Sequence, residues 1–310
     1  MLPDFLILGL PRTGTTSMHL ALKKHPGICI PLEKETWFFN GNYHKGVKWY
    51  EERFWHCPSN SKVGEVSTTI FLQDDFAQRL KKVIPHSKLI VLLRDPIERG
   101  YSHYLHNVRI GFEKLDFKQA LECEPAKIAE RPHVYNLYGY SGIGANYKKN
   151  IEQLFSIFPK KQIRVFLLEE FEQSGQKTLS FLFDFIGVNH SVDNFPRVHV
   201  ARVPRNRRLQ KLLDIPYNFF YRAHKKYSTA NLIPLSLERR FRHLRANMVS
   251  ILRAISESGQ RKINKPPIPS ETRKNMENFY NRKLCGLDLL IGKELSNYWP
   301  WFSEGSLPNR

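Results

Sequence analysis

The stretch GLPRTGTTS, residues 9–17, is where this chain could handle a phosphate. An apolar run, FLIL (5–8), ends at Gly9; Gly14 follows, and Thr15 and Thr16 open a helical pattern. The spacing approaches the G-x-x-x-x-G-K-[ST] loop of nucleotide-triphosphate enzymes, with Thr15 standing where the lysine should be. A tight loop that runs into a helix start turns backbone N–H groups and a positive dipole end toward an anion. Gly14 lets the backbone approach closely, the two threonines add hydroxyl donors, and Arg12 can supply the charge that the lysine would have brought. A plain connecting turn is the alternative for this loop taken alone. The missing lysine argues for a phosphate-like group over a triphosphate with magnesium. Asp95, after the run LIVLL (89–93), could serve such a metal, but Asp95-Pro96 reads more simply as a helix N-cap with proline in the first turn.

Five stretches predict the strands that hold these residues: FLIL, GICIP (27–31), KVGEVST (62–68), KLIVLLRDP (88–96) and QIRVFLLEEF (162–171). Unalternated apolar runs suit a parallel sheet covered on both faces. Between them lie helical patterns at Thr13–Lys24, FAQRLKKVI (76–84), the segment after Asp95, and TLSFLFDFIGV (178–188). The expected fold is α/β: a P-loop-like, doubly wound parallel sheet of about five strands, flanked by helices, with ligands at the carboxyl ends. A single domain over 1–310 is expected, with a core at 3–196, a mostly helical insertion at 197–263, and a C-terminal helix and tail at 264–310. That last helix should be capped by Ser270 and carry Met276, Phe279, Tyr280, Leu284, Leu287 and Ile291 on one face.

The net charge of +19 is concentrated in one place. Sixteen Lys/Arg lie between Arg197 and Lys262, against only Asp214, Glu238 and Glu257, which leaves thirteen of the nineteen charges there. A local excess points to an acidic partner, either an anionic membrane surface or a polyanionic acceptor. Basic and aromatic residues interleave crudely over 217–227, as in single-strand binders. A nucleic-acid partner is nevertheless not expected, because it leaves the phosphate loop unexplained. Cys29, Cys57, Cys123 and Cys285 show no CxxC spacing, which predicts reduced thiols and no metal cluster. The first strand starts at once, with no room before it for a signal peptide, and no apolar run approaches ~20 residues. The expected location is cytoplasmic, with peripheral membrane contact through 197–262.

Two motifs together, PRTGTTS (11–17) and RDPIERGYSHY (94–104), resemble the sulfotransferases that use 3′-phosphoadenosine 5′-phosphosulfate (PAPS). EKETWFFNGNYHKGVKWYEERF (33–54), GEVSTTIF (64–71) and PPIPSETRKNMENFYNRKLCGLDLLIGKELSNYW (266–299) resemble the branch with heparan sulfate sulfotransferases and bacterial relatives. The resemblance covers roughly 3–200 and 264–302. It implies that Arg12, Thr13, Gly14, Thr15, Thr16 and Ser17 bind the phosphosulfate and that Arg94 and Ser102 hold the 3′-phosphate. Apart from the resemblance, the basic segment could be a solvated helical face with one or two arginines, Arg202 or Arg205, closing over the cofactor. The resemblance also implies Glu35 as the base that deprotonates the acceptor, with Trp37 and Phe38 beside it to exclude water. Arg12 would stabilise the transferring group, and His106 is the other candidate at the acceptor. The implied reaction is metal-free, in-line sulfuryl transfer to a hydroxyl or amine of a carbohydrate, either a polysaccharide or a glycolipid. The runner-up is a magnesium- and ATP-dependent small-molecule kinase. Three positions depart from the family's pattern: Arg12 replaces a lysine, Val66 stands where several members carry a lysine, and Asn40 replaces an acidic residue.

Overall fold

The computed structural model describes residues 1–109, 112–130, 139–190, 195–196, 202–204, 251, 260–262 and 265–303. Strands β1 (Phe5–Leu8), β2 (Ile28–Cys29), β3 (Lys62–Ser67), β4 (Lys88–Leu93) and β5 (Ile163–Leu167) form one sheet in the order β2-β3-β1-β4-β5. Every neighbouring pair is parallel. Helices α1 (Thr15–Lys24), α2 (Gly46–Glu51), α3 (Phe76–Val83), α4 (Pro96–Arg109) and α5 (Phe117–Glu130) belong to the first half. In the second half α6 (Gly142–Ala145), α7 (Tyr147–Ile157) and α8 (Leu168–Ile186) precede α9 (Ser270–Lys283) and α10 (Leu287–Ile291).

Strand alternation sorts the apolar runs onto two covered faces. Leu6, Leu8, Leu89, Val91 and Leu93 join one core with residues of α3, α4, α7 and α9. Phe5, Ile7, Ile90 and Leu92 join the other, with α1 and α8. Because neither face meets water, both sets must be apolar, and the strands read as unbroken runs. Leu8 pairs with Ser67 on one side and Val91 on the other, and Leu93 pairs with Leu167. The loops after β1, β3, β4 and β5 therefore leave the sheet along one edge, where doubly wound sheets bind ligands.

Three element boundaries differ from the sequence expectation. GICIP contributes only Ile28–Cys29 to the sheet. β5 stops at Leu167, and α8 starts at Leu168 instead of Thr178; Glu170 Oε2 accepts the Leu167 N–H at 2.8 Å and secures the early start. The expected single C-terminal helix is two, broken where Gly286 takes φ +74, and Pro269 rather than Ser270 stands at the N-cap. Tyr280, Leu284 and Leu287 still reach one core.

The chain divides into two compact units, 1–198 with 267–310, and 199–266. In the second, the described residues form an antiparallel ribbon, β6 (Arg202–Pro204) against β7 (Gln260–Lys262). The helical expectation for the rest of this segment, and Arg205, lie outside the described residues. Among the described residues no helix is long and apolar enough to cross a membrane.

The thiol expectation is corrected. Cys29, at the end of β2, is disulfide-bonded to Cys57, while Cys123 and Cys285 are free. The two partners lie 28 residues apart and meet only because the segment between them folds back on the sheet edge, which no short motif could signal. His56 joins them, its Nε2 lying 3.7 Å from Cys29 Sγ. The three side chains form a His/Cys cluster that the sequence spacing did not suggest, with both sulfurs already bonded to each other. Alkylation of the unfolded chain without reductant should therefore label two of the four cysteines, and after reduction all four. Four labels without reductant would contradict the bond.

Candidate active site

The loop after β1 turns on two glycines. A Cβ on Gly9 would sit 2.3 Å from Thr15 Cγ2, and one on Gly14 would sit 2.6 Å from Leu168 Cδ1. Gly14 also has φ +92, which side chains resist. Arg12 takes φ +75 despite its side chain, and such outliers persist only where the surroundings hold them. Thr13 supplies part of that hold. It is fully buried, its hydroxyl donates to Leu10 O at 2.9 Å, and its own N–H donates to the same oxygen at 3.2 Å. Thr13 thus braces the loop through its side chain. Thr15 and Ser17 are buried in the first turn of α1, and Thr16 is half-buried. The first turn of a helix presents N–H groups that have no acceptor inside the helix.

Arg94 follows β4, and Ser102 lies in α4. Arg94 Nη1 donates to the carbonyl of Arg12 at 3.1 Å, and Arg12 Nε donates to Ser102 Oγ at 3.1 Å. Sites 82 and 90 residues apart thereby become one hydrogen-bonded group. Asp95 caps α4: its Oδ1 accepts from the N–H of Ile97 (2.8 Å) and Glu98 (3.1 Å), and its Oδ2 accepts from Trp301 Nε1 (2.9 Å). These three hydrogen bonds make Asp95 the N-cap of α4 and tie it to the C-terminal segment.

The sequence reading missed two buried groups and one half-buried group beneath this edge. Arg99 is fully buried, and its Nη2 donates to the carbonyls of Gly139 (2.9 Å) and Tyr140 (2.6 Å). His103 is pushed well below the ordinary histidine range by burial, then by the charge of Arg99, so it is neutral. Glu169 accepts the Asp95 N–H at 2.8 Å, and burial pushes its carboxyl up to about 7. All three come from positions whose types could equally have been surface charges, so only the fold identifies them.

Glu35 lies in the loop that follows β2. Its Oε2 accepts from the N–H (3.1 Å) and hydroxyl (2.6 Å) of Thr68, just past β3, and its Oε1 accepts from Lys34 Nζ at 3.1 Å. The expected aromatic shield is split. Phe38 is buried and stacks on Tyr50 with ring centroids 4.3 Å apart, whereas Trp37 is 42% exposed and takes φ +57. His106, one turn after Ser102, has its Nδ1 3.0 Å from Arg109 Nη2. Val66 is fully buried in the second core, and Asn40 bonds to Thr69, so neither brings a charge to this edge.

Comparison with known proteins bears on the family and the fold. The family described as the sulfotransferase domain matches residues 2–227. Bifunctional heparan sulfate N-deacetylase/N-sulfotransferase 2 of Bos taurus is 28% identical over 196 residues, covering 60% of this chain and 22% of its own. The membrane-associated sulfotransferase kil1 of Dictyostelium discoideum is 25% identical over 305 residues, covering 73% and 64%. The chain thus spans about a fifth of the bovine relative and under two thirds of the amoebal one. A sulfotransferase crystal structure from Alicyclobacillus acidocaldarius superposes with a TM-score of 0.67 at 22% identity, over 96% of this chain and 99% of that one, and so shares the fold. With the family matched over most of its length, and the loop and the Arg94–Ser102 pair joined on one sheet edge, this chain belongs to the sulfotransferase domain family.

Proposed function

We propose that the chain transfers a sulfuryl group from PAPS to a hydroxyl or amine of a carbohydrate. The observation that carries this reading is the junction of Arg12, Arg94 and Ser102. Two anion-binding motifs that share a hydrogen-bonded arginine suit a ligand with phosphate groups at two ends. The residues present fit PAPS: two glycines with no room for a Cβ, two arginines and the opening of α1 can face its anionic groups. PAPS supplies the activated sulfuryl group and leaves as adenosine 3′,5′-bisphosphate. Arg12 and the first-turn N–H groups stabilise negative charge where it grows, and Arg12 keeps its charge at any working pH. Arg94 and Ser102 hold the 3′-phosphate. Glu35 takes the acceptor's proton while the new bond to sulfur forms, and Lys34 beside it faces the same charge.

Trp37 supports a carbohydrate acceptor. Its carbonyl accepts from the N–H of Gly41 (3.0 Å) and Asn42 (2.9 Å), which holds a bulky side chain in a left-handed conformation. An exposed indole two residues from Glu35 offers a flat face to the C–H side of a sugar ring. The basic segment 197–262 would attract a polyanionic polysaccharide or an anionic membrane, an attraction that salt weakens.

The proposal is tested by thermal denaturation with chelator present. At about 100 times its Kd, adenosine 3′,5′-bisphosphate should add roughly 2.7 kcal/mol of stability. Adenosine 5′-phosphate at that concentration should add clearly less. Equal shifts from both nucleotides would remove the 3′-phosphate site, and a shift only with ATP and magnesium would favour the kinase.

A further inference from the structure

Glu65 lies in the GEVSTTIF stretch, carries no role in the sequence reading, and bonds to the residue next to Glu35. It lies in β3 opposite Leu6 and is 1% exposed. A carboxylate so deep needs partners, and these come from Thr36, next to Glu35, and from Tyr50 of α2. Its Oε1 accepts from the N–H and the hydroxyl of Thr36, both at 2.8 Å, and its Oε2 accepts from the Tyr50 hydroxyl at 2.7 Å. The Thr36 hydroxyl in turn accepts from the N–H of Phe38, and the Thr36 carbonyl accepts from Asn42. Burial pushes the carboxyl of Glu65 up to about 7 against these donors, and the neighbouring charge of Glu35 adds to the rise. The same burial, with Glu65 beside it, raises the Tyr50 hydroxyl well above the ordinary tyrosine range, so it stays a donor.

From this arrangement we infer that Glu65 is the positioning residue for Glu35: it anchors Thr36 to the sheet and so fixes where the neighbouring carboxylate stands. The inference rests on the reading of Glu35 as the base. β2 itself cannot hold the loop, because it pairs through only two residues, Ile28 and Cys29, and ends six positions before Glu35. The anchor must come from β3, whose next residues also supply Thr68 to Glu35 Oε2. β3 therefore grips the loop at two successive residues, Thr36 through the Glu65 side chain and Glu35 through Thr68. Asn40 and Phe38 hold the later part of the loop. Without Glu65, however, the segment next to Glu35 loses its bond to the sheet, and the carboxylate can shift about its Thr68 contact. Misplacement on the scale of 1 Å can cost about 10²-fold in rate.

The test is a set of variants read by kcat, acceptor KM and affinity for adenosine 3′,5′-bisphosphate. Glu65→Leu removes every acceptor and should lower kcat about 10- to 100-fold, with bisphosphate affinity unchanged within about two-fold, since the loop after β1 is untouched. Glu65→Gln keeps an oxygen for Thr36 and lets the Tyr50 hydroxyl turn to accept, so it should recover kcat to within a few-fold of the parent. Thr36→Val, which keeps the core volume, should lower kcat in the same direction by less. In a Glu35→Gln background, Glu65→Leu should add less than about two-fold, because groups that act through one another are not additive. A full additional loss in that background would overturn the positioning role and leave Glu35 as base untouched. Near-normal turnover of Glu35→Gln alone would instead remove the base reading. If Glu65→Leu does not fold, Thr36→Val decides: unchanged kcat, or a loss of bisphosphate affinity matching the loss of turnover, would overturn the inference.

Discussion

Replacing Glu35 by glutamine should lower turnover by roughly 10²–10⁴-fold, the usual contribution of a positioned general base. Glutamine keeps the shape and can still accept from Thr68, so the loop should stay where the parent holds it. Affinity for adenosine 3′,5′-bisphosphate should change little, because the nucleotide is assigned to the loop after β1 and to Arg94 and Ser102. The ion pair with Lys34 offers a plain structural account of Glu35, and the same variant separates the two. If the carboxylate only balances Lys34, which is itself partly exposed, its loss should cost well under tenfold, as exposed ion pairs contribute little. Near-normal turnover in Glu35→Gln together with collapse in His106→Ala would move the base to the histidine.

Arg94→Ala should weaken adenosine 3′,5′-bisphosphate by about 10- to 100-fold, the range for one lost hydrogen bond to a charged group. Adenosine 5′-phosphate, which lacks the 3′-group, should weaken by no more than about two-fold. The contrast matters because Arg94 also donates to the Arg12 carbonyl. Were its main task to brace the loop, both nucleotides would lose affinity together. Ser102→Ala should follow the same pattern with a smaller loss, since a neutral hydroxyl is removed.

Much of this site was legible because its chemistry is local. Gly9, Gly14 and the threonines after them announce a strand, a tight loop and a helix start in nine residues, and the structure has all three there. Arg94, Asp95 and Pro96 mark where β4 ends and α4 begins, again from neighbouring residues. What escaped the sequence depends on contacts between distant segments. Thr13 looks like the threonines after it, and only the position of the Leu10 carbonyl shows that its hydroxyl points back into the loop. Glu65 sits in KVGEVS, where a charged residue suggests a strand face open to water; Thr36 and Tyr50, 29 and 15 residues away, are what make its burial tolerable. Cys29 and Cys57 meet for a similar reason, and Phe38 turns inward because Tyr50 provides a ring to stack on. The break at Gly286 was masked because Leu284 and Leu287 keep helical spacing across it while the backbone does not.

The most direct measurement follows sulfur itself. With PAPS labelled in its sulfuryl group, chelator present and a panel of hydroxyl- and amine-bearing polysaccharides and glycolipids as acceptors, the account predicts label in a carbohydrate and an equal amount of adenosine 3′,5′-bisphosphate released. Retention of all label on PAPS across the panel would contradict it, most plainly if the same preparation moved phosphate from ATP once magnesium was added.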